Sequence, residues 1–237
     1  MALHCASHGY AVAVHCNRSV AQANAVVAEI EAAGGRACVV QADLASPDAV
    51  HGLVATASAL GPVTCLINNA SAFENDSIET LTSATWRQHL GINAEAPALL
   101  SQRMAAALPD SLDGLIVNML DEAVTRPGPT FFSYTVSKAA LAAMTEMLAQ
   151  ALAPRIRVNG IAPGLILDSG HSSQEAFERA HRNTLLGKGP GEDAIVRALD
   201  YLIHSDKVTG EILFVDAGKH LMQSQKYLPS KPLDPKP

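Results

Sequence analysis

The chain has 237 residues, a formal net charge of −6 and 48% apolar residues, few of which are aromatic. This composition allows one large hydrophobic core, while the negative charge and the lack of a Lys/Arg-rich run argue against a nucleic-acid or anionic-membrane partner. No apolar stretch is long enough to span a bilayer, and the N-terminus lacks the basic-then-apolar order of a signal peptide. We therefore expect a cytoplasmic protein.

Cysteines and histidines give no sign of a disulfide or a metal site. The four cysteines have no CxxC spacing and lie mostly in apolar runs, which is typical of buried reduced thiols. The nine histidines show no ligand spacing, so we expect no metal.

Strand-like and helical patterns alternate along the chain. The first residues, ALHCASHGY, indicate the end of a helix that stops at Gly9. Six apolar runs then predict strands, at 10–16, 36–43, 63–70, 114–120, 155–164 and 211–218. Helical patterns lie between them, at 19–33, after Ser46-Pro47, and at 82–108, 133–153 and 191–203.

This alternation predicts an α/β fold with a doubly wound, parallel, Rossmann-like sheet in three layers. No linker breaks the pattern, so we expect residues 1–221 to form one domain and the Pro/Lys-rich residues 222–237 to form a tail. Ligands of such sheets bind at the carboxyl ends of the strands. The polar and loop residues that follow strands should therefore share one edge: Arg18, Asp43, Asn69, Asp121 and Pro163-Gly164.

Tyr134 and Lys138, in the segment YTVSK, lie four residues apart and hence on one face of a helix. An ammonium near a phenol favours the phenolate, so we expect Lys138 to lower the pKa of Tyr134 toward neutrality. Tyr134 would then be a usable proton donor or acceptor. The alternative is a tyrosine whose ring only packs on the helix face.

Three segments in order, NNAS after a strand, YTVSK on a helix and RVNGIAPG beyond it, resemble the short-chain dehydrogenase/reductase family. The resemblance covers about residues 1–221 and implies an oxidoreductase with a nicotinamide cofactor. It implies that Lys138 also bonds the nicotinamide ribose and that Asn93 joins a proton relay. An asparagine inside a helix can instead bond a neighbouring backbone group.

The resemblance also implies a row of cofactor contacts. Asn69, Ala70 and Ser71 would lie beside the adenosine half, Asp43 and Leu44 at the adenine, and Pro163 and Gly164 over the nicotinamide amide. The alternatives are an Asn-rich turn, a solvated loop acid and a plain chain reversal.

The segment HCNRS indicates which nicotinamide cofactor is used. NAD enzymes of this design carry an acid after the second strand to hold the ribose 2′-hydroxyl, whereas a 2′-phosphate needs a cation there. This chain has Asn17, Arg18 and Ser19 and no acid. Because an arginine can fork onto a phosphate, we expect NADP(H), unless Arg18 only caps a surface loop.

The family's opening strand and its T-G-x-x-x-x-x-G loop have no counterpart in this sequence. We therefore expect the first strand of the sheet and the pyrophosphate cradle to be missing, and the domain to be N-terminally truncated. A chain start assigned too far downstream, an artificially shortened chain and a genuine short form would each explain this.

Asp121 occupies the position, thirteen residues before the tyrosine, where the family usually has a serine. This departure resembles the pteridine reductase branch, including the dihydromonapterin reductases, and so do Phe73 in NASAF, Leu165 in APGLIL, and GKHL near the end. It implies that Phe73 stacks on a pterin ring and that Asp121 helps Tyr134 to protonate a ring nitrogen. Glu122 should point elsewhere, into solvent.

The expected function is NADPH-dependent reduction of a dihydropterin, of the dihydromonapterin, dihydrofolate or dihydrobiopterin type, to its tetrahydro form. The alternatives are a carbonyl reductase acting on a small ketone or acyl chain, and a non-catalytic member of the family. The resemblance further implies a homotetramer built on the helices near 82–108 and 134–153. For Asp121 itself, the alternative is a turn residue or helix cap.

Overall fold

The structure is a computed structural model that describes residues 1–167 and 173–222, so the predicted tail beyond residue 222 lies outside the described residues. Six strands alternate with helices in these residues: β1 Val12–Cys16, β2 Ala37–Gln41, β3 Cys65–Asn68, β4 Gly114–Met119, β5 Ile156–Pro163 and β6 Ile212–Val215. The α-helices are α1 Ala2–Ser7, α2 Val20–Ala32, α3 Pro47–Ala57, α4 Ser83–Leu90, α5 Ala96–Ala107, α6 Phe132–Leu152, α7 Gln174–Arg182 and α8 Glu192–His204.

Each predicted strand is present, whereas the helices differ from prediction at two places. The helix expected over 82–108 is α4 and α5 joined by a π-helical turn, Gly91–Glu95. Pro97 has no backbone N–H, so the carbonyl of Asn93 cannot accept the hydrogen bond that an α-helix requires. The π-helical turn lies at this position. Helix α7 was not predicted; it is short and mostly polar, with only Ala176, Phe177 and Ala180 on its apolar face. Ser173 caps it by accepting a hydrogen bond from the Ala176 N–H at 3.2 Å.

All strand pairs are parallel, which confirms the predicted sheet, but the sheet is split in two. Strands β1 and β2 form one part, and the other has the order β3-β4-β5-β6. Within the described residues β1 and β3 are not hydrogen-bonded to each other. The split falls where the sequence predicts an absent strand. Apolar side chains still join the two parts, because Val12 of β1 and Ile67 of β3 pack in one core cluster.

The buried strand β4 shows why the fold has three layers. Leu115, Val117 and Met119 pack toward one face of the sheet, with residues of α1 and α8. Ile116 packs toward the other face, in a cluster with residues of α5 and α6. Both faces are thus covered by helices, and the strands read as continuous apolar runs for that reason. None of the described helices is both long and apolar enough to cross a bilayer.

Candidate active site

The hydroxyl of Tyr134 and the carboxylate of Asp121 form the centre of the site. Tyr134 lies in the first turn of α6 with 8% of its surface exposed, and its hydroxyl donates to Asp121 Oδ2 at 2.7 Å. Asp121 follows β4, and its other oxygen, Oδ1, accepts from the Ala123 backbone N–H at 2.8 Å. Asp121 therefore caps the 3₁₀ turn Glu122–Thr125 and binds the tyrosine at the same time.

Lys138 lies one helical turn after Tyr134 and is almost completely buried. Its Nζ donates to the Met119 carbonyl at 2.8 Å and lies 5.8 Å from the centre of the Tyr134 ring. Burial lowers the pKa of Lys138 to about 8, although the Asp121 carboxylate acts in the opposite direction. The ammonium is therefore held at the end of β4 rather than on the phenol oxygen.

The expected lowering of the Tyr134 pKa is wrong for this arrangement. Burial raises the pKa of Tyr134, and the adjacent Asp121 carboxylate raises it further, both by its charge and by accepting the phenol hydrogen. The sequence argument considered only the lysine four residues away. Tyr134 is therefore a neutral phenol at physiological pH, which is a state that can give up a proton but cannot take one.

Asn93 lies in the π-helical turn with its side-chain amide fully used. Its Oδ1 accepts from the Ser71 hydroxyl at 3.1 Å and from the Ala72 N–H at 2.8 Å. Its Nδ2 donates to the Ala72 carbonyl at 2.9 Å and to Ser137 Oγ at 3.0 Å. The Asn93 side chain thus holds the loop after β3 against α6. Only the backbone carbonyl of Asn93 could therefore take part in the expected proton relay.

A buried network that the sequence analysis missed fixes the start of α6. The Ser133 N–H donates to Asp76 Oδ1 at 3.0 Å, and its hydroxyl donates to Asp76 Oδ2. His89 of α4 approaches the same hydroxyl through Nδ1 at 2.6 Å and accepts from the Glu74 N–H through Nε2 at 3.1 Å. Burial lowers the pKa of His89, which keeps its ring neutral. No sequence motif marks these residues, because they join three separate segments.

Aromatic rings flank the tyrosine. Phe73 lies edge-to-face with Tyr134 at 4.6 Å between ring centres, so the structure brings this predicted substrate residue to the site. The other ring was missed: Phe131 stacks parallel to Phe73 at 4.5 Å, from a left-handed backbone with φ of 51°. Such a backbone is rare for a bulky residue and is common near functional sites.

The residues predicted to bind the 2′-phosphate follow β1, and those predicted at the adenine follow β2. Arg18 is exposed, and its side chain makes no hydrogen bond or ion pair within the described chain; Asn17 and Ser19 beside it are also exposed. Asp43 Oδ1 accepts from the Ala45 N–H at 2.9 Å and lies 3.5 Å from Asn17 Nδ2, which places both strand ends at one edge. Leu44 packs its side chain into the core, so only its backbone could reach a ligand.

Asn69, Ala70 and Ser71 follow β3 and are exposed. The Asn69 N–H donates to the Ile67 carbonyl at 3.0 Å. This hydrogen bond forms a turn, which is the alternative that the sequence analysis gave to adenosine binding by these residues. The preceding residue, Asn68, is buried, and its side-chain amide donates to Asn118 Oδ1 at 2.8 Å. The sequence analysis missed this contact.

Pro163 ends β5, and Gly164 and the half-buried Leu165 follow it. The Gly164 N–H donates to the Val215 carbonyl at 3.0 Å. A Cβ at Gly164 would lie 2.9 Å from the Cα of Asp216. Glycine is therefore required here for close backbone packing against the end of β6, whether or not a ligand also lies over this loop.

Glu122 does not point into solvent as expected. Its side chain is only 14% exposed and pairs with Lys219 at 3.1 Å and with Arg126 at 3.5 Å. Arg126 also donates to the carbonyls of Lys219, at 2.6 Å, and of Met222. These contacts tie the turn after Asp121 to the turn Lys219–Leu221, within the GKHL segment that the sequence singled out.

The buried ammonium of Lys138 generates a test of stability against pH. Its pKa of about 8 is below the ordinary lysine value of 10.5, so between these pH values the unfolded chain binds more protons and the free energy of unfolding increases as pH rises. Below pH 8 the full cost, about 3 kcal/mol, is present. We expect Lys138→Met to raise the free energy of unfolding by about 1–3 kcal/mol at pH 7.5, and the gain to shrink toward pH 10.5.

Urea denaturation at both pH values measures this difference. Lys207→Met, at a lysine whose side chain is 90% exposed, is the matched control and should change little. A Lys138→Met protein that is less stable than the parent at pH 7.5 would show that the buried charge carries no such cost.

The comparisons with known proteins agree with this geometry. A family model described as short chain dehydrogenase matches residues 1–178. The alternative dihydrofolate reductase FolM of Brucella suis, solved in complex with NADP, is 44% identical with a TM-score of 0.91, over 94% of this chain and 90% of that one. Dihydromonapterin reductase of Enterobacter sp. (strain 638) is 33% identical over 190 residues, 79% of each chain.

A structure with a different substrate is similar as well. The reductase LugOII, which catalyses keto-reduction at C1 during lugdunomycin biosynthesis, is 28% identical with a TM-score of 0.84, over 93% of this chain and 92% of that one. The family is thus shared by the pterin and the ketone reductases. The chain belongs to the short-chain dehydrogenase/reductase family, and within it is similar to the pteridine reductases.

Proposed function

We propose that the protein is an NADPH-dependent reductase of a dihydropterin, with dihydromonapterin as the first candidate and dihydrofolate and dihydrobiopterin next. The observation that carries the proposal is the 2.7 Å hydrogen bond from the Tyr134 hydroxyl to Asp121. Reduction of a C=N bond requires a proton at the ring nitrogen, and a paired phenol and carboxyl group can supply it. The similarity to the Brucella and Enterobacter enzymes supports the same substrate class.

The residues present fit NADP(H). Arg18 offers a guanidinium that is unpaired among residues 1–167 and 173–222, at the end of β1 and with no acid beside it in the HCNRS segment, which suits a 2′-phosphate and not a free 2′-hydroxyl. Lys138 supplies a buried donor at the end of β4. When bound, the cofactor supplies the hydride. NADP in the complex of the Brucella suis neighbour supports this choice.

Asp121 and Tyr134 have to deliver the proton as a unit. If Tyr134 gave up its proton while Asp121 was ionised, two anions would lie 2.7 Å apart, which is costly in a buried site. If Asp121 starts protonated, the pair returns to the observed hydrogen-bonded state after it has released one proton. The fully protonated form of the pair is therefore the donor.

A carbonyl reductase is the second candidate. The protonated Asp121–Tyr134 pair could also protonate the alkoxide that forms when a ketone is reduced, and the keto-reduction catalysed by LugOII favours this candidate. Asp121 favours the pterin reductase over the carbonyl reductase, because a carboxyl group can also accept hydrogen bonds from the donor-rich edge of a pterin, which a serine does less well.

We also propose a homotetramer, assembled on the helices α4–α5 and α6. Met147, on the middle of α6, is 64% exposed, and Ala143 one turn before it is exposed too. A large apolar side chain beside a small one on a long helix suits close packing of a second helix. We propose the cytoplasm as the compartment, since the four cysteines are all unpaired.

Arg18→Ala tests the cofactor. Because only NADPH carries the 2′-phosphate, we expect the variant to weaken NADPH binding on the order of ten- to a hundredfold and to leave NADH binding nearly unchanged. Fluorescence titrations with both cofactors measure this. Arg197→Ala, at an arginine that is 71% exposed, is the matched control. Equal losses for NADPH and NADH would show that Arg18 does not contact the phosphate.

Tyr134→Phe tests the proton donor. The ring and its packing remain while the hydroxyl is lost, so we expect turnover to fall by about 10²–10⁴-fold with NADPH binding nearly intact. Steady-state NADPH oxidation with dihydropterins, alongside a binding titration, gives both values. Turnover close to that of the parent protein would contradict the assignment.

Asp121→Asn and Asp121→Ser distinguish the pterin from the ketone. We expect turnover of the parent to fall as pH rises, since the protonated Asp121–Tyr134 pair is the donor. Asp121→Asn should reduce pterin turnover severely and remove this fall of turnover with pH, while Asp121→Ser should favour ketones over pterins. The measurement is the pH dependence of turnover for all three proteins on a panel of pterins and ketones. Unchanged pterin turnover and an unchanged profile in Asp121→Asn would leave Asp121 as a turn residue only.

A further inference from the structure

Helices α1 and α8 bring a cluster of histidines together with a carboxylate, away from the candidate active site. His4 lies on α1 and His8, four residues later, directly follows that helix, whereas Asp200 and His204 lie four residues apart on α8. The Nε2 atoms of His4 and His8 are 3.0 Å and 3.4 Å from Asp200 Oδ1. Contrary to the sequence expectation, the segment HCASH does have ligand spacing, because residues four apart share a helix face.

The hydrogen bonds of His8 decide which of its ring nitrogens is free. Its Nδ1 lies 2.9 Å from the carbonyl oxygen of His4, and a carbonyl can only accept, so Nδ1 carries the hydrogen. In the neutral ring, Nε2 then presents a lone pair toward Asp200 Oδ1. Two acceptors that face each other at 3.4 Å repel, and a cation between them removes the repulsion.

The distances in the cluster suit a transition-metal ion. With bonds of about 2.0–2.2 Å to nitrogen and oxygen, two ligand atoms on a tetrahedral ion lie about 3.3–3.5 Å apart. The three ligand atoms of His4, His8 and Asp200 all lie within 4.8 Å of one another. The 3.4 Å separation between His8 and Asp200 falls in this range, whereas His4 and Asp200 are joined by a hydrogen bond at 3.0 Å and would move slightly apart when the ion binds. A hydrogen bond from the second ring nitrogen to a carbonyl, as His8 makes, is the usual way in which a metal-binding histidine is oriented.

We propose that His4 Nε2, His8 Nε2 and Asp200 Oδ1 bind one Zn²⁺ ion, with a water molecule at the fourth position. Two imidazoles and one carboxylate form a donor set that suits Zn²⁺. His204 flanks this site rather than completing it, because its Nδ1 lies 2.9 Å from the Asp200 carbonyl. Its ring lies edge-to-face against His8 at 5.6 Å between centres.

The ion would join the two parts of the sheet. Helix α1 leads into β1 of the two-stranded part, whereas α8 packs on β5 and β6 of the four-stranded part. Since β1 and β3 are not hydrogen-bonded in the described residues, Zn²⁺ would add a bond between these parts where the backbone provides none. A ligand that binds only the folded chain stabilises it, so Zn²⁺ should raise the melting temperature.

The test uses the full chain after treatment with a chelator. Titration with Co²⁺ should give ligand-field absorption that saturates at one ion per chain and that Zn²⁺ then displaces. At about 100 times the dissociation constant, Zn²⁺ should raise the melting temperature by about 5–10 °C. Thiolate-to-cobalt charge-transfer bands would place the ion on a cysteine and overturn the proposal.

Variants locate the site. His4→Gln and His8→Gln should each lose the cobalt spectrum and the thermal shift, whereas His51→Gln, at an exposed histidine of α3, should retain both. Asp200→Asn, nearly equal in size to the parent residue, serves as a third variant if a histidine variant does not fold. A spectrum and thermal shift that persist in the folded ligand variants would refute the site, and so would a parent protein that neither binds Co²⁺ nor gains stability with Zn²⁺.

Discussion

The hydrogen bond between Tyr134 and Asp121 is the contact on which the rest of the site depends, because it joins the end of β4 to the start of α6. The bond from Lys138 to the Met119 carbonyl makes a second connection between the same two elements. Together they fix the rotation of α6 about its axis relative to the strand. If either element shifted by one residue, the Tyr134 hydroxyl would lose the Asp121 carboxylate, and the Lys138 ammonium would lose the Met119 carbonyl at the same time.

Buried polar groups also hold β4 and α6 in this relative position. Asn68, Asn118 and Thr145 form a chain of hydrogen bonds from β3 through β4 to α6. Asn93 and Asp76 attach the loop after β3 to the same helix, through Ser137 and Ser133. Buried polar groups are costly unless they are satisfied, so these partners specify one arrangement of strand, loop and helix more strictly than apolar packing would.

The sequence predicted the parts of the site that depend on spacing within one element or between neighbouring elements. Tyr134 and Lys138 are one turn apart on a helix, and Asp121 follows a strand, so their proximity follows from periodicity and from the family resemblance. It did not predict what depends on three-dimensional surroundings. The direction of the Tyr134 pKa shift is set by burial, and the Asn93 side chain is occupied by hydrogen bonds to Ala72, 21 residues earlier.

The division of the sheet has a consequence for how the molecule fluctuates. In the part of the chain that the structure describes, β1 and β2 are coupled to the other strands by side-chain packing and not by backbone hydrogen bonds. They can therefore open as a separate cooperative unit at a lower free energy than the rest. Arg18 and Asp43 belong to that unit, while Tyr134 and Lys138 belong to the other. A nucleotide that contacts both would therefore be a cross-link as well as a cofactor, and part of its intrinsic affinity would be spent on holding the two units in their closed arrangement.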